Sequence, residues 1–123
     1  MLLGLRQGSH GAGEWCFPGG SVEFGETAVK AAKREAKEEA GLIVDELEII
    51  SVSDERRYIK TDNKHYVVIG FKAKHVEGEP KLMEPNKFKD WQWFSIDKLP
   101  EKVYEGSEDM IKNYNTGKIY QVI

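Results

Sequence analysis

The chain has 123 residues, a formal charge of −3, 40% hydrophobic and 32% charged residues, which suits one soluble globular domain with its own core. That charge gives no general basic field, so nucleic acid is not an expected partner, and an anionic substrate must be held by local cations or bound metal. Cys16 is the only cysteine, which excludes an internal disulfide and favours a reducing, cytoplasmic setting; no run approaches the roughly 20 apolar residues of a membrane span, and no signal peptide is expected.

In chain order, Gly8-Ser9-His10-Gly11-Ala12-Gly13 reads as a flexible loop and Pro18-Gly19-Gly20 as a turn that allows close backbone approach. From about Thr27 to Ala40 the spacing predicts the strongest helix. Thr27 caps its start, Ala, Lys and Glu fill its interior, and Gly41 stops it. Ala28, Ala32 and Ala36 form a small-residue stripe that lets this helix sit tightly on a sheet, leaving its acidic side toward a cleft. Leu47 to Val52 is an apolar strand candidate, and His65 to Lys74 alternates as a second, with a polar hairpin turn at Thr61-Asp62-Asn63-Lys64 between them. Glu77 to Phe88 reads as a long loop interrupted by Pro80 and Pro85. Asp90 to Phe94 is a short aromatic strand, and a last helix runs from about Ser107 to Asn115, ending near Gly117. Strands on both sides of a long helix indicate an α/β or α+β domain with a mixed sheet, one domain over 1–123.

The predicted helix carries the chemistry. At roughly 100° per residue, Glu35, Glu38 and Glu39 fall within one arc of about 100°. Their mutual repulsion is easiest to explain if a cation sits among them, and such oxygen-rich clusters suit Mg²⁺ or Mn²⁺. The plainer alternative is a solvated Glu/Lys face. Elsewhere the structural reading prevails. Cys16, beside Phe17 and Pro18, is a packed thiol; His10, His65 and His75 are scattered without ligand spacing; Arg56, Arg57 and Lys60 are exposed loop charges. Trp91 and Trp93 share a strand face, so at least one belongs to the core, with Trp91, Phe17 and Tyr66 as candidates to stack on a base.

From Gly20 to Leu42 the sequence resembles the Nudix box without a gap. The matching positions are Gly20, Glu26, Arg34, Glu35, Glu38, Glu39 and Gly41, with Ala36 and Leu42 at the apolar places. Phe17-Pro18-Gly19-Gly20 upstream and Trp91-Gln92-Trp93-Phe94 with Leu99-Pro100 downstream extend the likeness over most of the chain. The resemblance implies an α/β/α sandwich around a mixed sheet and hydrolysis of a nucleoside diphosphate linked to another moiety. It implies that Glu35, Glu38 and Glu39 bind metal and supply the base, and that Gly20 offers its carbonyl to a metal. Arg34 then orients the catalytic glutamate, and Glu26 braces the loop. Either Glu35 or Glu38 serves as the base, with Glu35 favoured by its neighbour Arg34. Glu84, in a Glu-Pro-x-Lys segment, is a candidate further metal ligand, and Lys87 a candidate substrate contact.

Leu2-Leu3-Gly4-Leu5-Arg6 and the glycine loop after it are similar to the MutT-type nucleoside triphosphate diphosphatases, which adds Arg6 to the substrate-binding candidates. These enzymes convert (d)NTPs, sometimes oxidised ones, to the monophosphate and pyrophosphate. Tyr58 keeps a dinucleoside polyphosphate hydrolase as an alternative beside an ADP-ribose hydrolase, and a non-catalytic nucleotide-sensing module is the rival from another class. The family usually places a strand before the Leu-Leu-Gly-x-Arg segment. Its apparent absence leads to the expectation of an open sheet edge and a homodimer.

Overall fold

Leu2–Arg6, the Leu-Leu-Gly-x-Arg segment itself, is a strand, β1. In the computed structural model, which describes residues 1–8 and 10–121, it lies at the centre of a three-stranded antiparallel sheet. Ser9 of the glycine loop, Val122 and Ile123 lie outside the described residues. On one side β1 pairs with β2 (Trp15–Cys16), and on the other with β5 (Phe88–Trp93), with Leu2 opposite Trp93 and Gly4 opposite Trp91. β5 pairs with the strand from Leu2 to Arg6 and β2 with Gly4 and Leu5 on the other side, and the leucines are buried: Leu3 is fully enclosed and Leu2 nearly so.

The second sheet is a long antiparallel pair, β3 (Ile43–Glu55) with β4 (Tyr66–Glu77). Both run further than their apolar patterns suggest, because the ladder continues through polar cross-strand pairs such as Glu48 with Lys72 and Asp45 with His75. The register shifts between Ile49 and Ser51. A one-turn helix, α2 (Ile59–Asp62), followed by Asn63 in the left-handed region at φ 53°, makes the chain reversal where a polar hairpin turn was expected.

α1 (Ala28–Ala40) follows the sequence closely. The Thr27 hydroxyl accepts the Lys30 N–H at 3.2 Å, and Gly41 ends the helix at φ 68°, its N–H bonded back to the Lys37 carbonyl at 3.0 Å. The buried side is displaced from the predicted stripe: Ala31, Ala36, Glu39 and Ala40 are buried, whereas Ala28 and Ala32 are half-buried. A glutamate therefore sits in the packed face. α3 (Glu105–Thr116) covers the second sheet, with Met110 filling the space above Gly70 and the Asn113 amide donating to Ser51 Oγ at 2.8 Å.

The expected α+β class is present, but the strands form two antiparallel sheets, not one mixed sheet. The sole parallel pairing among the described residues is an isolated bridge between Trp15 and Val103. No described strand pairs with the outer edge of β3 or of β4, so no ladder among the described residues joins the two sheets. A cavity of about 1400 Å³ opens between them, lined by both sheets, α1 and α3. The core, built from Leu2, Cys16, Ala40, Leu42, Phe88 and Trp91, lies where the first sheet meets the end of α1. Among the described residues no helix is long and apolar enough to cross a membrane.

Candidate active site

The loop after β2 and the face of α1 are tied together by their own polar groups. Gly19 N–H donates to Glu39 Oε1 at 2.8 Å, and Phe17 N–H donates to Ser107 Oγ at 3.0 Å, fixing the start of the turn between α1 and α3. Arg34 does the same for the far end. Its Nε and Nη2 grip both oxygens of Glu26 at 2.8 and 3.0 Å, and Nη2 also donates to the Ser21 carbonyl at 3.1 Å. Glu26 Oε1 in turn accepts the Glu23 N–H at 3.1 Å. The Arg34 hydrogen bonds, then that backbone N–H, hold the Glu26 carboxyl below the usual range. The bracing role expected for Glu26 has its geometric counterpart here.

Arg34 also reaches the catalytic candidates. Nη1 donates to Glu35 Oε1 at 2.8 Å and to Glu38 Oε2 at 3.2 Å. The Glu35 carboxylate lies against Gly20, so closely that a Cβ at residue 20 would stand 2.6 Å from Oε1. Glu38 is held more loosely, with 51% of its side chain exposed. Glu39 is buried, only 4% exposed. Burial, opposed by the Gly19 N–H and reinforced by the charges of Glu35 and Glu84, pushes its carboxyl up to about 7. Oε1 of Glu84 is itself buried without a hydrogen-bond partner.

Such a donor set fits a hard divalent cation. Glu35, Glu39 and Glu84 crowd negative charge around Glu39, one of their oxygens is orphaned, and all their donors are oxygen. As arranged here, no three His, Cys, Asp or Glu side chains among the described residues close on one point. The reason is visible in the ion pairs, since Arg34 engages Glu35 and Glu38.

Linkage gives this crowding a measurable sign. The Glu39 carboxyl titrates at about 7 when folded and at 4.5 in the reference state, so between those values the folded chain binds more protons. Stability without metal should fall as pH rises through that window, by about 3 kcal/mol. Added Mg²⁺ should therefore raise the melting temperature more at pH 8 than at pH 5. Thermal melts with and without chelator check this, and an equal rise at both pH values counts against it.

Of the other sequence candidates, Arg6, Phe17 and Lys87 line the cavity. Trp91 is a correction. Its ring packs on Phe88 at 4.5 Å and its Nε1–H donates to the Glu39 carbonyl at 3.1 Å, so it is core and not a stacking platform. Trp93, two residues on, is the one that reaches the cavity wall. Cys16 is buried with its thiol pushed up to about 11, mainly by burial, as expected of a packed thiol. His10, His65 and His75 sit exposed beside Asp62, Asp54 and Glu46, and form no ligand cluster among the described residues. Sequence reasoning missed Ser107, Tyr104 and Glu55. Only Glu55 left a trace, because Ser51, Ser53 and Glu55 recur every second residue on the buried face of β3.

Comparison with known proteins agrees with this geometry. A NUDIX domain family model matches residues 1–114. The oxidized purine nucleoside triphosphate hydrolase of Danio rerio is 42% identical over 100 residues, which are 81% of this chain and 61% of that protein. The mouse protein of the same name is 40% identical over 101 residues, with the same two shares, 81% and 61%. The chain thus spans about three fifths of the length of these curated relatives. Among solved structures, a MutT Nudix hydrolase from Burkholderia pseudomallei superposes with a TM-score of 0.85 at 28% identity, covering 91% of this chain and 85% of that one. With a family model spanning all but its last residues, the chain belongs to the Nudix domain family.

Proposed function

We propose that this chain, as one Nudix domain over 1–123, hydrolyses nucleoside triphosphates, oxidised ones included, to the monophosphate and pyrophosphate with Mg²⁺ or Mn²⁺. One observation carries the reading. The Glu35 carboxylate is lodged against Gly20 and bonded to Arg34, beside the buried Glu39. Names of relatives support the substrate class, since the two vertebrate proteins are named for oxidized purine nucleoside triphosphates.

Glu35, Glu39, Glu84 and the Gly20 carbonyl would hold the metal, with Glu38 closing the set once Arg34 shifts. Bound there, a divalent ion neutralises the polyphosphate and makes a nearby water more acidic. Glu35 takes the proton of the attacking water. The water oxygen forms a new bond to phosphorus, a phosphoanhydride P–O bond breaks, and the phosphate-containing group on the other side leaves with the bonding pair. Arg34 keeps Glu35 in line through this step, and Glu26 keeps Arg34 in line. Glu35 suits the base better than Glu38, because the Glu38 carboxylate is half in water. Arg6, Phe17 and Lys87 on the cavity wall are the proposed substrate contacts.

The same reading includes self-association in a reducing, cytoplasmic setting. Support comes from the unpaired edge of β4, where Val67 and Ile69 are exposed, and from the lone buried Cys16. Sedimentation of a folded monomer at micromolar concentration would remove the dimer.

A panel of NTPs, dNTPs, oxidised guanine nucleotides, ADP-ribose and dinucleoside polyphosphates with Mg²⁺, scored by product, tests the activity. Monophosphate and pyrophosphate from a triphosphate are expected. Turnover of ADP-ribose or dinucleoside polyphosphates alone, or binding of nucleotide without turnover, overturns the reading.

A further inference from the structure

An α-helix leaves its last carbonyls without partners of its own, and α1 has its own closed by donors from elsewhere in the fold. The Lys37 carbonyl is taken by the Gly41 N–H just past the helix. The next two donors come from one distant stretch of chain. The Ala40 carbonyl accepts the Lys81 N–H at 2.8 Å, and the Glu39 carbonyl accepts the Trp91 indole at 3.1 Å. Glu84 lies between those two donors in sequence, and its charge acts on the Glu39 carboxyl. The end of α1 is therefore gripped on either side of the segment that carries Glu84.

The two grips differ in what they ask of the sequence. Lys81 contributes a backbone N–H, which every residue but proline has, whereas Trp91 contributes a side-chain donor. Its indole is buried and packs on Phe88 at 4.5 Å. It also lies over Gly4 of β1, where a Cβ would stand 2.6 Å from Cζ3. Packed against both residues, the ring is fixed in orientation and its N–H points at the helix end. Glu39 is consequently held twice, its carbonyl by Trp91 and its carboxylate by the Gly19 N–H at 2.8 Å.

Resting on the metal-dependent reading above, we propose that Trp91 is a positioning residue for the divalent-ion site. Its indole N–H fixes the last turn of α1 and so keeps the Glu39 carboxylate in register with Glu35 and Glu84. Without that N–H the Glu39 carbonyl is buried and unpaired, and the turn recovers a partner only by moving. Such a movement carries the Glu39 carboxylate with it, because carbonyl and side chain share one Cα. Removing a group that orients a metal ligand typically weakens metal binding by roughly ten- to a hundredfold. In this role the indole touches neither the ion nor the substrate.

The test removes the N–H and keeps the ring. Trp91 is replaced by benzothienylalanine, in which sulfur stands where the indole has its N–H, and Trp91→Phe is made separately. Binding of Mn²⁺ alone is followed by the electron paramagnetic resonance signal of the free ion, with circular dichroism on the same samples. Both folded variants should bind Mn²⁺ about tenfold more weakly than the wild type. A residue that only fills the core is fully replaced by the benzothienyl ring. Wild-type affinity in that protein therefore overturns the inference, whatever Trp91→Phe does, and wild-type affinity in a folded Trp91→Phe overturns it too. Glu39→Gln separates this failure from that of the parent reading. Mn²⁺ binding weakened by Glu39→Gln but by neither change at Trp91 removes the role of the indole alone. Absence of Mn²⁺ binding by the wild type, or binding that Glu39→Gln leaves untouched, removes the proposed metal site and this inference with it.

Discussion

Glu35→Gln is expected to lower kcat by at least about a thousandfold while the fold stays intact. Glutamine keeps the shape and an oxygen for Arg34 Nη1, now 2.8 Å from Glu35 Oε1, but has no lone pair basic enough to take a proton. The stability cost should stay small because two effects oppose each other. The ion pair with Arg34 weakens, while the charge of Glu35 that helps push Glu39 upward disappears. Steady-state kinetics beside circular dichroism and a thermal melt decide it. Wild-type turnover in a folded Glu35→Gln would remove the proposed base, and a larger loss in Glu38→Gln would transfer that role to Glu38.

A second substitution should separate activity from stability by a different route. Gly20→Ala adds one methyl group in van der Waals conflict with the Glu35 carboxylate, at 2.6 Å from Oε1 and 2.7 Å from Cδ. The obstructing atoms belong to the end of a flexible side chain, so the loop relieves the clash cheaply by turning Glu35 away. The melting temperature should therefore change little, by no more than about 2 °C for a domain of this size. Turnover should not survive so well, because displacement of a reacting group by about 1 Å can cost a hundredfold in rate. We expect kcat to fall by about a hundredfold with KM changed far less. Unaltered kcat would show that the contact between Gly20 and Glu35 is incidental.

Both substitutions act on residues that the sequence alone could group. Spacing along one helix fixes which side chains share a face, so Arg34, Glu35, Glu38 and Glu39 could be grouped from their numbers. Capping chemistry is similarly local, which is why Thr27 and Gly41 marked the ends of α1 correctly. What local pattern cannot reveal is pairing with distant segments. β1 and β2 are too short to show a period, and only the ladders of β1 with β2 and with β5 make them strands. The division into two antiparallel sheets likewise depends on which edges meet. Trp91 and Trp93 have the same sequence signature, yet the carbonyl of Glu39 lies within reach of one indole alone. Glu55 was easy to miss for a related reason: beside two arginines a glutamate reads as surface, and only its alternation with Ser51 and Ser53 hints at the burial the fold gives it.

The bond from the Trp91 indole to the backbone of Glu39 makes the proposed metal region observable without a label. Any shift of α1 that draws Glu39 toward an ion must stretch or strengthen that bond. The indole proton, shielded from solvent inside the core, should then move in a proton NMR spectrum during a Mg²⁺ titration. Trp93 is 55% exposed and offers an internal reference in the same strand. The molecule thus contains its own spectroscopic gauge of occupancy, readable in the absence of any substrate.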